Sequence, residues 1–164
     1  MNEYRRHILD WLDKDDWSDW YAVTLTMRQS LPNVDGEDVF LTQQSASRNL
    51  RHFLNRTNKR WYGNASVRHN IRCEVIPTFE KGSDGRNLHY HLFIKRPSHV
   101  PEWKFRLRLQ GDWFRTEWGN LLVPVKGNCD TGWLEYITKD TQGNNSDPAW
   151  NFENVDYSNI WFVG

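Results

Sequence analysis

His89 and His91 flank Tyr90 in the run LHYHLFIK, whose apolar and aromatic content predicts a strand. Strand side chains alternate, so both imidazoles leave one face while Tyr90 and Leu92 leave the other. Two adjacent imidazoles make half of a metal site, or a grip for phosphate. Glu80 ends the preceding strand, and the turn KGSDGRNL brings the chain back, so its carboxylate can reach the same face. Two neutral imidazoles and one carboxylate can hold a divalent metal and leave coordination positions open for a substrate. The blander reading is a structural histidine pair beside a solvated hairpin glutamate. Glu74 is a competing carboxylate further back along the strand.

Tyr136 and Lys139 stand three apart on a predicted helix and so share a face. A phenol with its ordinary pKa near 10 is a poor nucleophile until something stabilises the phenolate. A nearby ammonium can do so. Such a pair arises often by chance; its interest here is its place after a two-histidine strand.

The elements that must position these groups can be read along the chain. Tyr4, Ile8, Trp11 and Leu12 recur at helical spacing and predict an opening helix. WYAVTLTM, from Trp20 to Met27, alternates as a strand. Ala46, Leu50, Phe53, Leu54, Thr57 and Trp61 predict a long helix over roughly residues 42–60, with arginines on its outer face. Ile71, Cys73 and Val75 begin a second strand that runs toward Phe79, and the turn leads into the histidine strand. Pro101 can open another helix with Trp103, Leu107, Phe114 and Trp118 on one face, although Gly111 weakens it. A short strand over 121–125 and a helix over about 131–139, capped by Asp130, follow. Residues 141–151 read as a polar loop. This order predicts an α+β fold, an antiparallel central β-sheet flanked by helices, in one domain spanning 1–164.

The 164 residues carry 21 Lys+Arg and 21 Asp+Glu, a net charge of zero that argues against a globally basic nucleic-acid binder. The charge is segregated, however. Arg48, Arg51, Arg56, Lys59, Arg60, Arg68 and Arg72 occur with no acid among residues 48–72, and Lys95, Arg96, Lys104, Arg106 and Arg108 form a second cluster. Asp10, Asp13, Asp15, Asp16 and Asp19 offset them. One basic face or a solvated helix surface would both produce this pattern. Most of the 10 Trp, 8 Phe and 6 Tyr should fill a core, with a few left to stack on bases. Cys73 and Cys129 are too few for a disulfide framework or a zinc knuckle. With no signal peptide and no long apolar run, the expectation is an intracellular protein without a membrane, in cytoplasm or nucleus according to host.

These segments resemble the three motifs of the HUH endonuclease superfamily, the group of replication initiators (Rep) and relaxases. VTLTM resembles the first motif, HYHLFIKRP the second (histidine, bulky residue, histidine) and YITK the third, Y-x-x-K; together they span residues 21–139. EKGSDGRNLHYH also resembles the acid-to-histidine hairpin of Rep proteins from circular single-stranded DNA viruses. Tyr90 departs from the aliphatic residue usual between the histidines. His99 could serve as a relaxase-type third histidine, but lies beyond Pro97, which favours the Rep type. Tyr157 fits no Y-x-x-x-Y pair, and no GxxxxGK[ST] marks a helicase domain.

The resemblance implies a ferredoxin/RRM-like sandwich with Glu80, His89 and His91 as ligands to Mg²⁺ or Mn²⁺. Tyr136 would be the nucleophile, and Lys139 the group that positions the phosphate or stabilises the phenolate. The implied activity is nicking and rejoining of single-stranded DNA or an origin hairpin through a 5′-phosphotyrosine, initiating rolling-circle replication. Any helicase would be supplied by another chain. Arg48, Arg51, Arg56, Lys59, Arg60 and Lys95 are the candidate DNA contacts. An HUH transposase or mobilisation relaxase would carry the same residues. A non-enzymatic single-strand-binding module, stacking bases on Trp20, Tyr21 and Phe93, is a reading of another class.

Overall fold

The structure, a computed structural model, describes residues 17–82, 85–121, 125–127 and 155–161. The opening helix, the helix over 131–139 with Tyr136 and Lys139, and the polar loop over 141–151 lie outside the described residues.

A four-stranded antiparallel sheet has the order β4-β5-β1-β6, formed by Val75–Lys81, Leu88–Lys95, Trp20–Thr26 and Val125–Lys126. A separate hairpin, β2 (Ser30–Pro32) with β3 (Asp38–Phe40), leads into the long helix α1 (Gln43–Tyr62). A single-turn helix, α2 (Ala65–Arg68), precedes β4, and α3 (Glu102–Phe114) follows β5. The fold is α+β, as the order of elements implies.

Local signals start and stop α1. Thr42 accepts a bond from the Ser45 amide while Ser45 Oγ accepts one from the Thr42 amide, so two otherwise orphaned donors are satisfied. Gly63, at φ +56°, ends the helix and donates its N–H to the Lys59 carbonyl. The inward stripe Ala46, Leu50, Phe53 and Leu54 meets Leu25, Tyr90, Leu92 and Ile94 from one sheet face. Each of these large side chains gains about 1.5–3 kcal/mol by leaving water.

Helix α3 covers the same sheet face through Phe105, Leu109 and Trp113, and Trp113 Nε1 donates to the Thr26 carbonyl at 2.8 Å. This corrects the sequence expectation. Trp103, Leu107 and Phe114 share a face, but it is the outward one, at 68%, 57% and 42% exposure; Trp118, beyond the helix, is buried. The helix carries two apolar rows, and spacing alone does not choose between them. Asp112 belongs to the inward row because Arg60 of α1 meets it with two hydrogen bonds, at 2.8 and 2.5 Å.

Two strand expectations also shift. β4 begins at Val75, since Asn70 turns the chain at φ 52° and Ile71 stays exposed. Of the strand expected over 121–125, Val125 is in β6, which continues to Lys126, Leu121 is not in a strand, and 122–124 lie outside the described residues. The outer edge of β4 is covered by residues 155–161, through bridges Thr78–Val155 and Val75–Trp161. The Pro77 carbonyl accepts from the Asp156 amide, so proline's missing N–H faces this edge and the β5 ladder is intact. Among the described residues, no helix is long and apolar enough to cross a membrane.

Candidate metal centre

Antiparallel register brings the triad together. Glu80 of β4 lies opposite His89 of β5, and Thr24 of β1 lies opposite His91. Residues 89 and 91 leave the face not covered by α1 and α3, because Tyr90 and Leu92 between and beyond them enter the helix-side core. Glu80 Oε2 stands 3.5 Å from His89 Nε2 and 3.3 Å from His91 Nε2. Ligands bound at about 2.1 Å around one ion sit roughly 3.0–3.4 Å apart for octahedral to tetrahedral angles. The 3.3 Å separation falls within that range and the 3.5 Å one just beyond it, and one donor atom from each of the three residues lies within 4.8 Å of the others.

The outer ring nitrogens fix how the inner ones behave. His89 Nδ1 is 2.9 Å from the Asn87 carbonyl, which can only accept, so the proton sits on Nδ1 and neutral His89 presents its Nε2 lone pair to Glu80. His91 Nδ1 is 3.1 Å from Thr24 Oγ1, a hydroxyl that can donate or accept. Lone pairs on Nε2 and a carboxylate oxygen repel unless a cation lies between them. A proton or a metal ion meets that need, so the donor set fits a divalent ion.

Burial works against ionisation of Glu80, but hydrogen bonds to His89 and His91 outweigh it and lower its pKa to about 2. The hydrogen bond to Glu80 raises the His89 pKa despite partial burial. Side-chain exposures of 24% for Glu80, 22% for His89 and 9% for His91 leave the centre open on one side. The same sheet face continues as buried Trp20, Ala22, Ile76 and Phe93, with Trp17 against Trp20 and Phe93. Thr78, opposite His91, is fully buried, and its hydroxyl has no hydrogen-bond partner among the described residues.

The other expected residues fall elsewhere. Glu74 pairs with Lys95 at 3.1 Å, toward the far end of the sheet, which leaves Glu80 as the triad acid. Lys95 therefore has an acidic partner and also lies 5.7 Å from the Trp20 ring centre. His99 is spent on the Trp61 carbonyl and sits against Tyr62, away from the triad. Arg48, Arg51, Arg56, Lys59 and Arg60 ride on α1, on the opposite side of the sheet from the triad. Trp20, Tyr21 and Phe93 are at most 4% exposed, which corrects their assignment as base-stacking residues. They are core.

Two supporting residues escaped the sequence reading. Thr24 is one, although the polar alternation of VTLT carried the signal. Gln29 is the other: its amide bonds both the N–H and the carbonyl of Leu88, fixing the backbone just before His89. Nothing local in the sequence marks that role.

Comparison of the chain with protein-family models, with curated proteins and with solved structures found no match.

Proposed function

We propose that this protein is a metal-dependent endonuclease that nicks single-stranded DNA and rejoins it through a tyrosine-linked intermediate, of the HUH Rep type. The observation that carries the reading is the convergence of Glu80 Oε2, His89 Nε2 and His91 Nε2 on one open point of the sheet. The resemblance of YITK to the third motif supplies the nucleophile.

Glu80, His89 and His91 would hold the ion, Mg²⁺ or Mn²⁺ by the resemblance. When bound, it supplies Lewis-acid polarisation of a phosphate oxygen. Tyr136 attacks phosphorus through its phenolic oxygen as its proton is lost. The P–O3′ bond breaks, the 3′ oxygen takes up a proton, and the 5′ phosphate remains esterified to the tyrosine. One phosphodiester replaces another, so a 3′ hydroxyl can reverse the step and reseal the strand. Lys139 stabilises the phenolate or positions the phosphate.

Three other tyrosines among the described residues, Tyr21, Tyr62 and Tyr90, give this assignment support by being committed elsewhere. Tyr90 is buried on the helix side and donates to Asp156, and Tyr21 packs on Phe105. Burial and the neighbouring Cys73 raise the Tyr62 pKa, which disfavours its phenolate. The single-tyrosine reading is tested by incubating the protein with pooled single-stranded oligonucleotides and Mn²⁺, then running a denaturing gel. A covalent, slower band should form, require metal, and be lost in Tyr136→Phe; a band that persists in that variant removes Tyr136 as the nucleophile.

A further inference from the structure

The metal centre and the basic helix α1 lie on opposite sides of the sheet, so a strand held at the triad does not at the same point touch α1. The outer surface of the helix layer needs its own explanation. Helix α1 has no acidic residue in 20, and its outward ridge presents Arg48 and Lys59, both exposed. From Arg48 to Lys59 the ridge spans about 17 Å, close to five phosphate steps along one strand of a duplex.

A cavity flanks the ridge on each side. Toward α3, one of ≈280 Å³ is lined by Arg60, Lys104 and Arg108 with the Trp61 ring. Arg60 there is neutralised by Asp112, whereas no acidic partner for Lys104 or Arg108 is found among the described residues. Toward β4, one of ≈380 Å³ is lined by Arg51, Arg72 and several asparagines with Trp161, and the Arg72 guanidinium lies 5.4 Å from the Trp161 ring centre. Cations in rows, amide side chains and one indole at each end form the chemistry of a phosphate track with places for bases or sugars. An acidic protein partner would call for an apolar centre within the charged ring; the α1 ridge between these cavities has none, and the exposed apolar row of α3, Trp103, Leu107 and Phe114, lies roughly a quarter-turn around that helix from Lys104 and Arg108.

We propose that the α1 ridge, with the basic cavities on either side of it, is a second nucleic-acid site, which takes the phosphodiester backbone of a DNA segment other than the one at the metal centre. The site extends the nicking reading to a second DNA segment, but its readout is binding alone. Single strand and duplex share this chemistry, and the test separates them.

Anisotropy titrations of a labelled 12-nucleotide single strand and a labelled 12-base-pair duplex, in EDTA so that no strand is cut, compare wild type with Lys104→Glu/Arg108→Glu. Arg48→Ala/Lys59→Ala serves as a milder second variant. At least one DNA form should lose about 10-fold or more in affinity, and its plot of log K against log[salt] should flatten by about 2, the loss of two phosphate contacts. The form with the greater loss identifies the occupant. Unchanged affinity and slope in both folded variants overturns the proposal. So does a wild type that binds neither DNA at low salt while capturing a poly-glutamate peptide. A missing covalent band leaves these titrations unaffected, so the two readings fail separately.

Discussion

On one face of β5, Tyr90 and Leu92 enter a core closed by α1 and α3; on the other, His89 and His91 meet Glu80 near an open edge. Both faces hold polar groups out of water, but they neutralise them differently. On the helix side the buried carboxylate of Asp112 receives two bonds from Arg60, and Tyr90 donates to Asp156, which also accepts from Ser47 and Asn159. On the triad side, one carboxylate oxygen meets two imidazole nitrogens at 3.3 and 3.5 Å, where a proton or a metal ion can sit between them, beside a buried threonine hydroxyl with no partner among the described residues. Closed polarity stabilises a fold. Ligand-type side chains that converge at a partly exposed point mark a place for a metal ion.

The contrast can be broken from either side. Removing Asp112 should have the largest effect: Asp112→Ala leaves Arg60 without its buried counter-charge and should cost about 3 kcal/mol in urea unfolding. Metal affinity should hardly move. His91→Ala should do the reverse, weakening Mn²⁺ binding measured by calorimetry by about 100-fold or more while changing stability little. Equal metal affinity in that variant would remove the triad as a metal centre.

Asp156→Asn probes the helix side through pH. Burial opposes its ionisation, but hydrogen bonds from Ser158, Ser47, Asn159 and Tyr90 outweigh this and lower its pKa. The carboxylate's contribution is therefore complete above the ordinary carboxylate pKa and is lost as pH falls through the lowered value. Wild type should exceed the variant by about 1–3 kcal/mol at pH 7. That gap should begin to narrow below about pH 4 and close only below the lowered value, as followed by thermal unfolding across pH. Thr24→Val is the finest test: it removes only the hydroxyl behind His91 and should weaken Mn²⁺ binding by about 10-fold. A variant with unchanged affinity would make Thr24 a bystander.

The triad was legible because its logic is local. Alternation puts residues 89 and 91 on one face, and a turn of known length returns Glu80 to them. Helix α1 was legible because its apolar stripe is single and its caps are sequence-local. Helix α3 was not, since Trp103/Leu107/Phe114 and Phe105/Leu109/Trp113 are both plausible stripes, and Arg60, 52 residues from Asp112, settles the choice. The β2–β3 hairpin is short and largely polar at its turn, and periodicity does not see it. The covering of β4 by residues 155–161 depends on backbone pairing across 77 and 86 positions, which no local pattern encodes. The separation of the basic ridge from the triad is likewise a property of layers, invisible until the sheet has two sides.

The claim that matters most is that a tyrosine takes up the cut DNA end under control of Glu80, His89 and His91. Digesting the Mn²⁺ reaction mixture with trypsin and nuclease, and locating the nucleotide-bearing peptide by mass spectrometry, tests it at the atom concerned. A phosphonucleotide should appear on Tyr136, present with Mn²⁺ and absent in EDTA and in His91→Ala. Modification of another residue, or modification that survives in His91→Ala, would contradict it.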